Sequence, residues 1–545
     1  MNVNHHTSHV DTFVRDNLPP PEQMPDFLFT TDELQYPGRL NSAAEVLDKK
    51  IAQGYGAKNA LLTPNETWSY RDLYEKSNRI AHVLVENLGL VPGNRVLLRA
   101  PNNPMLVACW FGVIKAGGVA VATMPLLRKR DLEPIINKAQ VQFALCDERL
   151  MDELSGALET TGFVQRVVQF NGSGEAGAGA ELEQLMAAKE TSFDPVPTAS
   201  DDPAIIAFTS GTTGQPKGTV HFQRDIMTMC ICCNEYVVKP EPSDIIIGSP
   251  PVAFTFGLGM LVGMPLYAGA SVALLEAAPP LELARAIGRF SATICSSAPT
   301  AYRAILSHIG EFDLSSLRKS TCAGEKLPLP TYEEWLAATG LRMIDIFGST
   351  EMIHVFISAV GDEIRPGASG KAITGYRACI LDDDNRPAAP GTPGRLALKG
   401  PTGCKYLADE RQKNYVVNGW NLTGDVCTMD EDGYVWYQGR TDDMIISSGY
   451  NISGAEVEAA LLPHPAVSEC GVVGIPDEAR GMIIKAFVVP AEGVRASGQL
   501  AGELQEFAKR TIAPYKYPRM IEFISELPKT QTGKIQRHKL RAMPH

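Results

Sequence analysis

Phe208-Thr209-Ser210-Gly211-Thr212-Thr213-Gly214-Gln215-Pro216-Lys217-Gly218 follows an apolar segment, Ala204-Ile205-Ile206-Ala207, that reads as a buried strand. Glycines let the backbone aim its N–H groups at one point, and the clustered hydroxyls add donors. Such a loop can therefore cradle phosphate oxygens. It is not a Walker A loop, because Lys217 is followed by Gly218 and sits three residues after Gly214.

Working outward, apolar β-branched runs alternate with amphipathic segments through most of the chain. Residues 94–98, 118–123, 141–146, 164–170, 244–248, 271–275 and 292–297 read as strands, and 70–87 and 105–116 as helices. This alternation predicts an α/β fold of layered, largely parallel sheets. At 545 residues the chain exceeds one hydrophobic core. Glycines and prolines punctuate short strands from about residue 366, which suggests a β-rich subdomain over 366–440. A small α+β domain is expected over 441–545, leaving 1–440 as the large domain.

A hydrophobic content of 44% and a net charge of −12 describe an ordinary globular protein and argue against general nucleic-acid binding. The C-terminal end departs from this balance: from Lys509 to Arg541, nine Lys/Arg stand against two Glu, which suits a polyphosphate. The eleven scattered cysteines read as reduced thiols of a cytoplasmic protein, and no secretory signal is visible. Residues 245–275 carry no charge, yet three prolines and five glycines interrupt them. They read as core, with no membrane association. Gly172-x-Gly174-x-x-Gly177 is a weak dinucleotide signal in a loop too long for a tight βα turn.

Further segments carry chemistry. Asp345-Ile346-Phe347-Gly348-Ser349-Thr350-Glu351-Met352 offers a flat face for a base, hydroxyl donors and a carboxylate suited to a hard dication. The others are Cys322-Ala323-Gly324-Glu325-Lys326, Thr423-Gly424-Asp425 with Arg440 beyond it, and Leu527-Pro528-Lys529-Thr530-Gln531-Thr532-Gly533-Lys534-Ile535.

In this order, over most of the chain, these motifs resemble the adenylate-forming superfamily of acyl- and aryl-CoA synthetases. Details within them are similar to the benzoate- and 2-aminobenzoate-CoA ligases, above all Gly348-Ser349-Thr350-Glu351-Met352-Ile353-His354. The resemblance implies that Thr209, Ser210, Gly211, Thr212, Thr213, Gly214 and Lys217 hold ATP phosphates. It implies that Gly324, Glu325, Asp345, Phe347, Gly348 and Ser349 line the adenine and acyl side. Asp425 and Arg440 would hold the ribose, a carboxylate being the natural acceptor for a diol. Thr350 would touch the α-phosphate, Glu351 would bind Mg2+, and Lys534 would be the catalytic lysine. Asp442 would be the hinge of the small domain, and Gly449 would line the path of coenzyme A.

Ala253, Phe254, Thr255, Phe256 and Gly257 would line the acid pocket. His354 would join them if it lies one helical turn from Glu351. One departure is that Ser447-Ser448-Gly449-Tyr450 lacks a lysine that some aryl ligases carry just before this point. The implied activity is ATP-dependent conversion of an aromatic carboxylate, 2-aminobenzoate or benzoate, to its CoA thioester through an acyl-adenylate. The rivals are adenylation for delivery to a carrier protein, a synthetase of different chain specificity, a dehydrogenase using the Gly172 loop, and an inactive binding protein. Monomer and homodimer both stay open.

Overall fold

A computed structural model describes residues 6–171, 181–209, 215–382, 384–440, 444–528, 535 and 537–543. The chain is mixed α/β, with a large N-terminal domain followed by a smaller C-terminal one. The Gly172 loop lies outside the described residues.

Two sheets dominate the large domain. The first has six strands in the order Arg166–Phe170, Phe143–Asp147, Arg95–Arg99, Val119–Thr123, Pro203–Thr209, Lys217–Phe222. All its pairs are parallel except the last. The second has nine strands, with a parallel centre running from Met343–Gly348 through Lys319–Cys322, Ile294–Ser297, Ile245–Gly248 and Ser271–Ala273 to Asn59–Leu62. Parallel strands covered on both faces are mostly apolar, which is why several were legible as near-continuous runs, with charged residues such as Arg95, Arg99 and Asp147 confined to strand ends. Arg95–Arg99 and Phe143–Asp147 are buried at every position.

Local chemistry sets the helices. Ser69 and Asp72 form a reciprocal capping box that starts Tyr70–His82. Asn103 caps Pro104–Lys115, a helix buried on every face, in which the first residue is the proline that position favours. The uncharged stretch 245–275 forms strand, helical segments and strand within the core, and no described helix is long and apolar enough to cross a membrane.

An antiparallel five-stranded sheet carries Arg377–Leu381, Gly394–Lys399, Val416–Val417, Trp420–Met429 and Val435–Arg440. The C-terminal domain has a hairpin, Met444–Ser447 with Tyr450–Ser453, and a sheet of Val467–Asp477, Gly481–Pro490 and Met520–Phe523. Its own core joins Ile445, Ile452, Leu461, Val472, Ile484 and Leu504. All eleven cysteines are free thiols, ten of them buried.

Candidate active site

The two large sheets converge so that the C-terminal ends of their strands share one cavity of about 660 Å³. Thr123, Thr209, Ser249, Ala298, Ala323 and Gly348 lie at or just beyond six strand ends and line it. Strand C-termini are where open α/β sheets bind ligands, because side chains and loops diverge there. Buried Arg99 shapes one side: its guanidinium donates to the carbonyls of Met124, Pro125, Leu127 and Leu150, fixing the turn after Val119–Thr123.

The strands on either side of the glycine-rich segment pair antiparallel, with Thr209 opposite Lys217. Thr209, Gln215 and Pro216 line the cavity. Ser210, Gly211, Thr212, Thr213 and Gly214 lie outside the described residues, as do Asp442 and Lys534. Lys217 Nζ stands 3.4 Å from the Tyr406 hydroxyl and 5.2 Å from its ring centre.

The stretch 345–354 is built differently from a helix start. Met343–Gly348 pairs antiparallel with Val355–Ser358, so the chain reverses within six residues. Gly348 is required at the reversal, because a Cβ there would lie 2.5 Å from the His354 carbonyl oxygen. Ile353 adopts φ +67°, a left-handed conformation costly for a β-branched residue. The expected helical turn from Glu351 to His354 is therefore replaced by a strained turn.

Glu351 Oε1 accepts a 2.7 Å hydrogen bond from the Tyr406 hydroxyl, and His221 Nε2 donates to the Thr350 carbonyl at 2.8 Å. Behind His221, Asp225 stands 3.7 Å away and pairs with Lys405 at 2.8 Å, all three side chains fully buried. Among the described residues no cluster of three or more His, Cys, Asp or Glu could hold a metal. Magnesium does not need one, since it usually takes one or two carboxylates and completes its shell with phosphate and water. Glu351 fits that habit, having one oxygen engaged by Tyr406 and no ion pair among the described residues.

Phe347 packs against Phe356 at 5.2 Å and edge-on to Tyr437 at 5.9 Å. Tyr437 belongs to the strand paired with the one that carries Asp425, and Arg440 is backbone partner to Asp425. The Arg440 side chain lies outside the described residues. Burial pushes the Asp345 carboxyl up to about 7, against the opposing effect of the Ser369 hydroxyl and the Cys322 thiol. Asp345, Phe347 and Asp425 stand outside the cavity wall itself.

Phe254, Thr255, Phe256 and His354 line one end of the cavity, with Ile346 and Val355. Ala253 and Gly257 do not line it. Gly257 is there for backbone reasons, since a Cβ would run into the Pro251 carbonyl. The His354 Nδ1 lies 3.2 Å from the Cys233 thiol, and its ring is 6.5 Å from Phe256. A Cβ on Gly259 would sit 2.5 Å from its Nε2, so only glycine leaves room for this imidazole. Burial lowers the His354 pKa to about 4, keeping the ring neutral.

Charged residues line the cavity as well. Asp131, Glu456 and Lys516 line it, and Lys516 Nζ bridges Asp131 of the large domain at 3.2 Å and Glu456 of the small domain at 2.5 Å. Gly449, at φ +80°, turns the hairpin Met444–Ser453 into the cavity with Ser448 and Tyr450. A Cβ on Gly449 would lie 3.4 Å from Ala298 and 3.7 Å from Glu325 Oε1. Burial pushes Glu325 up to about 7, against the Thr300 hydroxyl and the Gly449 N–H that partly offset it. Ile535 and Leu527, which flank the Lys534 segment, pack on Gly471 within the small domain.

Sequence reasoning missed Tyr406, His221, Asp225, Lys405, Asp131 and Lys516. Each makes a decisive contact with a residue 55 or more positions away, which no local pattern marks.

Comparison with known proteins agrees with this arrangement. A family model described as "AMP-binding enzyme" matches residues 48–406, and "AMP-binding enzyme C-terminal domain" matches 456–534. Benzoate–CoA ligase of Thauera aromatica is 33% identical over 520 residues, covering 94% of this chain and 98% of that one. The anthranilate CoA ligase AuaEII, solved with anthranoyl-AMP, superposes with a TM-score of 0.73 at 31% identity, covering 94% and 98%. The amide bond synthetase McbA from Marinactinospora thermotolerans gives 0.82 at 26%, covering 92% and 99%.

Proposed function

We propose, from the premise that this chain belongs to the AMP-binding enzyme family, that it is an ATP-dependent CoA ligase for an aromatic carboxylate of the benzoate or 2-aminobenzoate type. The carrying observation is the uncharged acid end of the cavity, walled by Phe254, Phe256 and a neutral His354. A planar ring gains dispersion and burial there, and a second carboxylate would have no counter-charge. The similarity to ligases of benzoate and anthranilate supports the same acid class.

In the first half-reaction, a carboxylate oxygen of the acid attacks the ATP α-phosphorus and pyrophosphate leaves. Two anions must approach, and at ~4 Å with an effective dielectric near 20 unit charges repel by about 4 kcal/mol. Lys534 is assigned to bridge them, offsetting that repulsion as charge develops. Lys217 and the hydroxyl loop hold the leaving phosphates, Thr350 contacts the α-phosphate, and Asp345 with Phe347 receives the base. Asp425 and Arg440 take the ribose. Magnesium on Glu351 would supply charge neutralisation at the phosphates.

In the second half-reaction, the CoA thiol enters beside Gly449, its sulfur attacks the acyl carbon, AMP leaves and the thiol proton passes to solvent. The conformer described here suits that step, because the Gly449 turn, and not the segment flanking Lys534, faces the cavity. Rotation about Asp442 would exchange the two.

A second reading is transfer of the acyl group to an amine, favoured by the closer superposition on McbA. A screen of carboxylic acids by pyrophosphate release, with product masses taken in CoA and in amine, separates these. Benzoates are expected to lead and to yield thioesters. Faster reaction of acetate or hexanoate would overturn the aryl assignment, and amide as the main product would overturn the ligase reading.

A further inference from the structure

Tyr406 stands between the two parts of the phosphate site. Its hydroxyl donates to Glu351 Oε1 at 2.7 Å and lies 3.4 Å from Lys217 Nζ, so one phenol links the start of strand Lys217–Phe222 to the acidic turn. The residue is 1% exposed. Its ring meets Tyr415 edge-on at 5.7 Å, its N–H donates to Gln412 Oε1 at 2.9 Å, and its backbone bridges to Thr219. Next to it, Lys405 is anchored on Asp225 at 2.8 Å. A side chain held on so many sides has one place to put its hydroxyl.

We propose that Tyr406 is a positioning residue for the metal: its O–H fixes the Glu351 carboxylate so that the second oxygen is presented to the magnesium that accompanies ATP. This rests on the reading of Glu351 as the metal ligand. A flexible glutamate would otherwise spend its rotamers elsewhere, and ordering it in advance removes that cost from the binding step. Partners of metal ligands of this kind typically matter by 10–100-fold in metal affinity. Lys217 faces the same oxygen with its ammonium, which makes the hydrogen-bond chain directional, from lysine to phenol to carboxylate.

The test is Tyr406→Phe, which keeps the ring against Tyr415 and removes only the hydroxyl. Mn2+ binding to the full-length enzyme with α,β-methylene-ATP is followed by electron paramagnetic resonance, beside the Mg2+ dependence of pyrophosphate release. The Mn2+ dissociation constant and the half-saturating Mg2+ should both rise about tenfold or more. A lower melting temperature or lower kcat with unchanged metal affinity would make Tyr406 merely structural and overturn the proposal. Glu351→Gln is measured in parallel. If it weakens Mn2+ binding while Tyr406→Phe does not, the positioning role fails alone. If neither weakens it, the reading of Glu351 fails and takes the proposal with it.

Discussion

Replacing Asp225 by Asn tests the buried support behind the acidic turn. Asp225 and Lys405 are 2.8 Å apart and both side chains are fully buried. At that separation and an effective dielectric near 20 their gross attraction is about 6 kcal/mol. The asparagine retains an oxygen for the Phe222 N–H that Asp225 now caps, so the chief change is the loss of the counter-charge. A buried ammonium without a partner costs about 3–5 kcal/mol. For a domain of roughly 400 residues, with ~2.1 cal/mol/K of unfolding entropy per residue, that lowers the melting temperature by about 4–6 °C. Scanning calorimetry at one scan rate and pH 7.5 reads it.

Combining Asp225→Asn with Lys405→Met removes both charges, and the pair should cost at least ~2 kcal/mol less than the two singles added. The sign with pH follows. Burial pushes Asp225 up, but Lys405 and His221 outweigh it and hold the carboxyl far below its usual range. Its contribution is therefore complete at neutral pH and is lost only as acid protonates it, beginning below about pH 4. The parent should lose more stability than Asp225→Asn between pH 4 and pH 2. A single variant melting within 1 °C of the parent, or singles that simply add, would refute the reasoning.

Lys534→Ala should abolish ATP–pyrophosphate exchange while largely sparing thioester formation from supplied aroyl-adenylate, and unchanged exchange would contradict its role. Gly259→Ala should drive a methyl against His354 Nε2, at 2.5 Å, and its ring must move. Overpacking of this kind costs about 1–3 kcal/mol, so the KM for the acid should rise with little change in the KM for ATP. Equal effects on both would argue that His354 does not shape the acid end. Glu325 has a folded pKa of about 7, raised from the usual carboxylate range. The stability it gives is complete below about pH 4.5 and lost as pH rises through 7. Glu325→Gln should flatten the fall in melting temperature across that window, and an unchanged fall would exclude Glu325 as its source.

The parallel strands and the long helices were legible because burial on both faces, or on one helical stripe, writes itself into a short window of sequence. Val96–Leu98, Val119–Ala122 and Ile245–Ile247 are continuous apolar runs, and Ser69 with Asp72 marks a helix start. In the acidic turn, the helical turn on which the placement of His354 was made conditional does not form, yet His354 still lines the cavity. A helical continuation after Glu351 is locally reasonable, but the antiparallel return of Val355–Ser358 demands a reversal, and Ile353 pays for it with a left-handed backbone. No propensity announces a β-branched residue in that region. The contacts of Thr350 with His221 and of Glu351 with Tyr406 span 129 and 55 residues, so only the fold reveals them. Asp131 and Lys516, 385 residues apart, meet across two domains for the same reason.

The seam between the two sheets has a consequence for how this scaffold could be retuned. The acid end draws mainly on one short loop and helix start, Pro250–Phe256, with Ile346, His354 and Val355 completing it. The residues assigned to nucleotide come from other strand ends and from the antiparallel sheet. A graft confined to Pro250–Phe256 could therefore redirect the choice of acid while leaving ATP handling intact, which makes that loop the economical place to engineer.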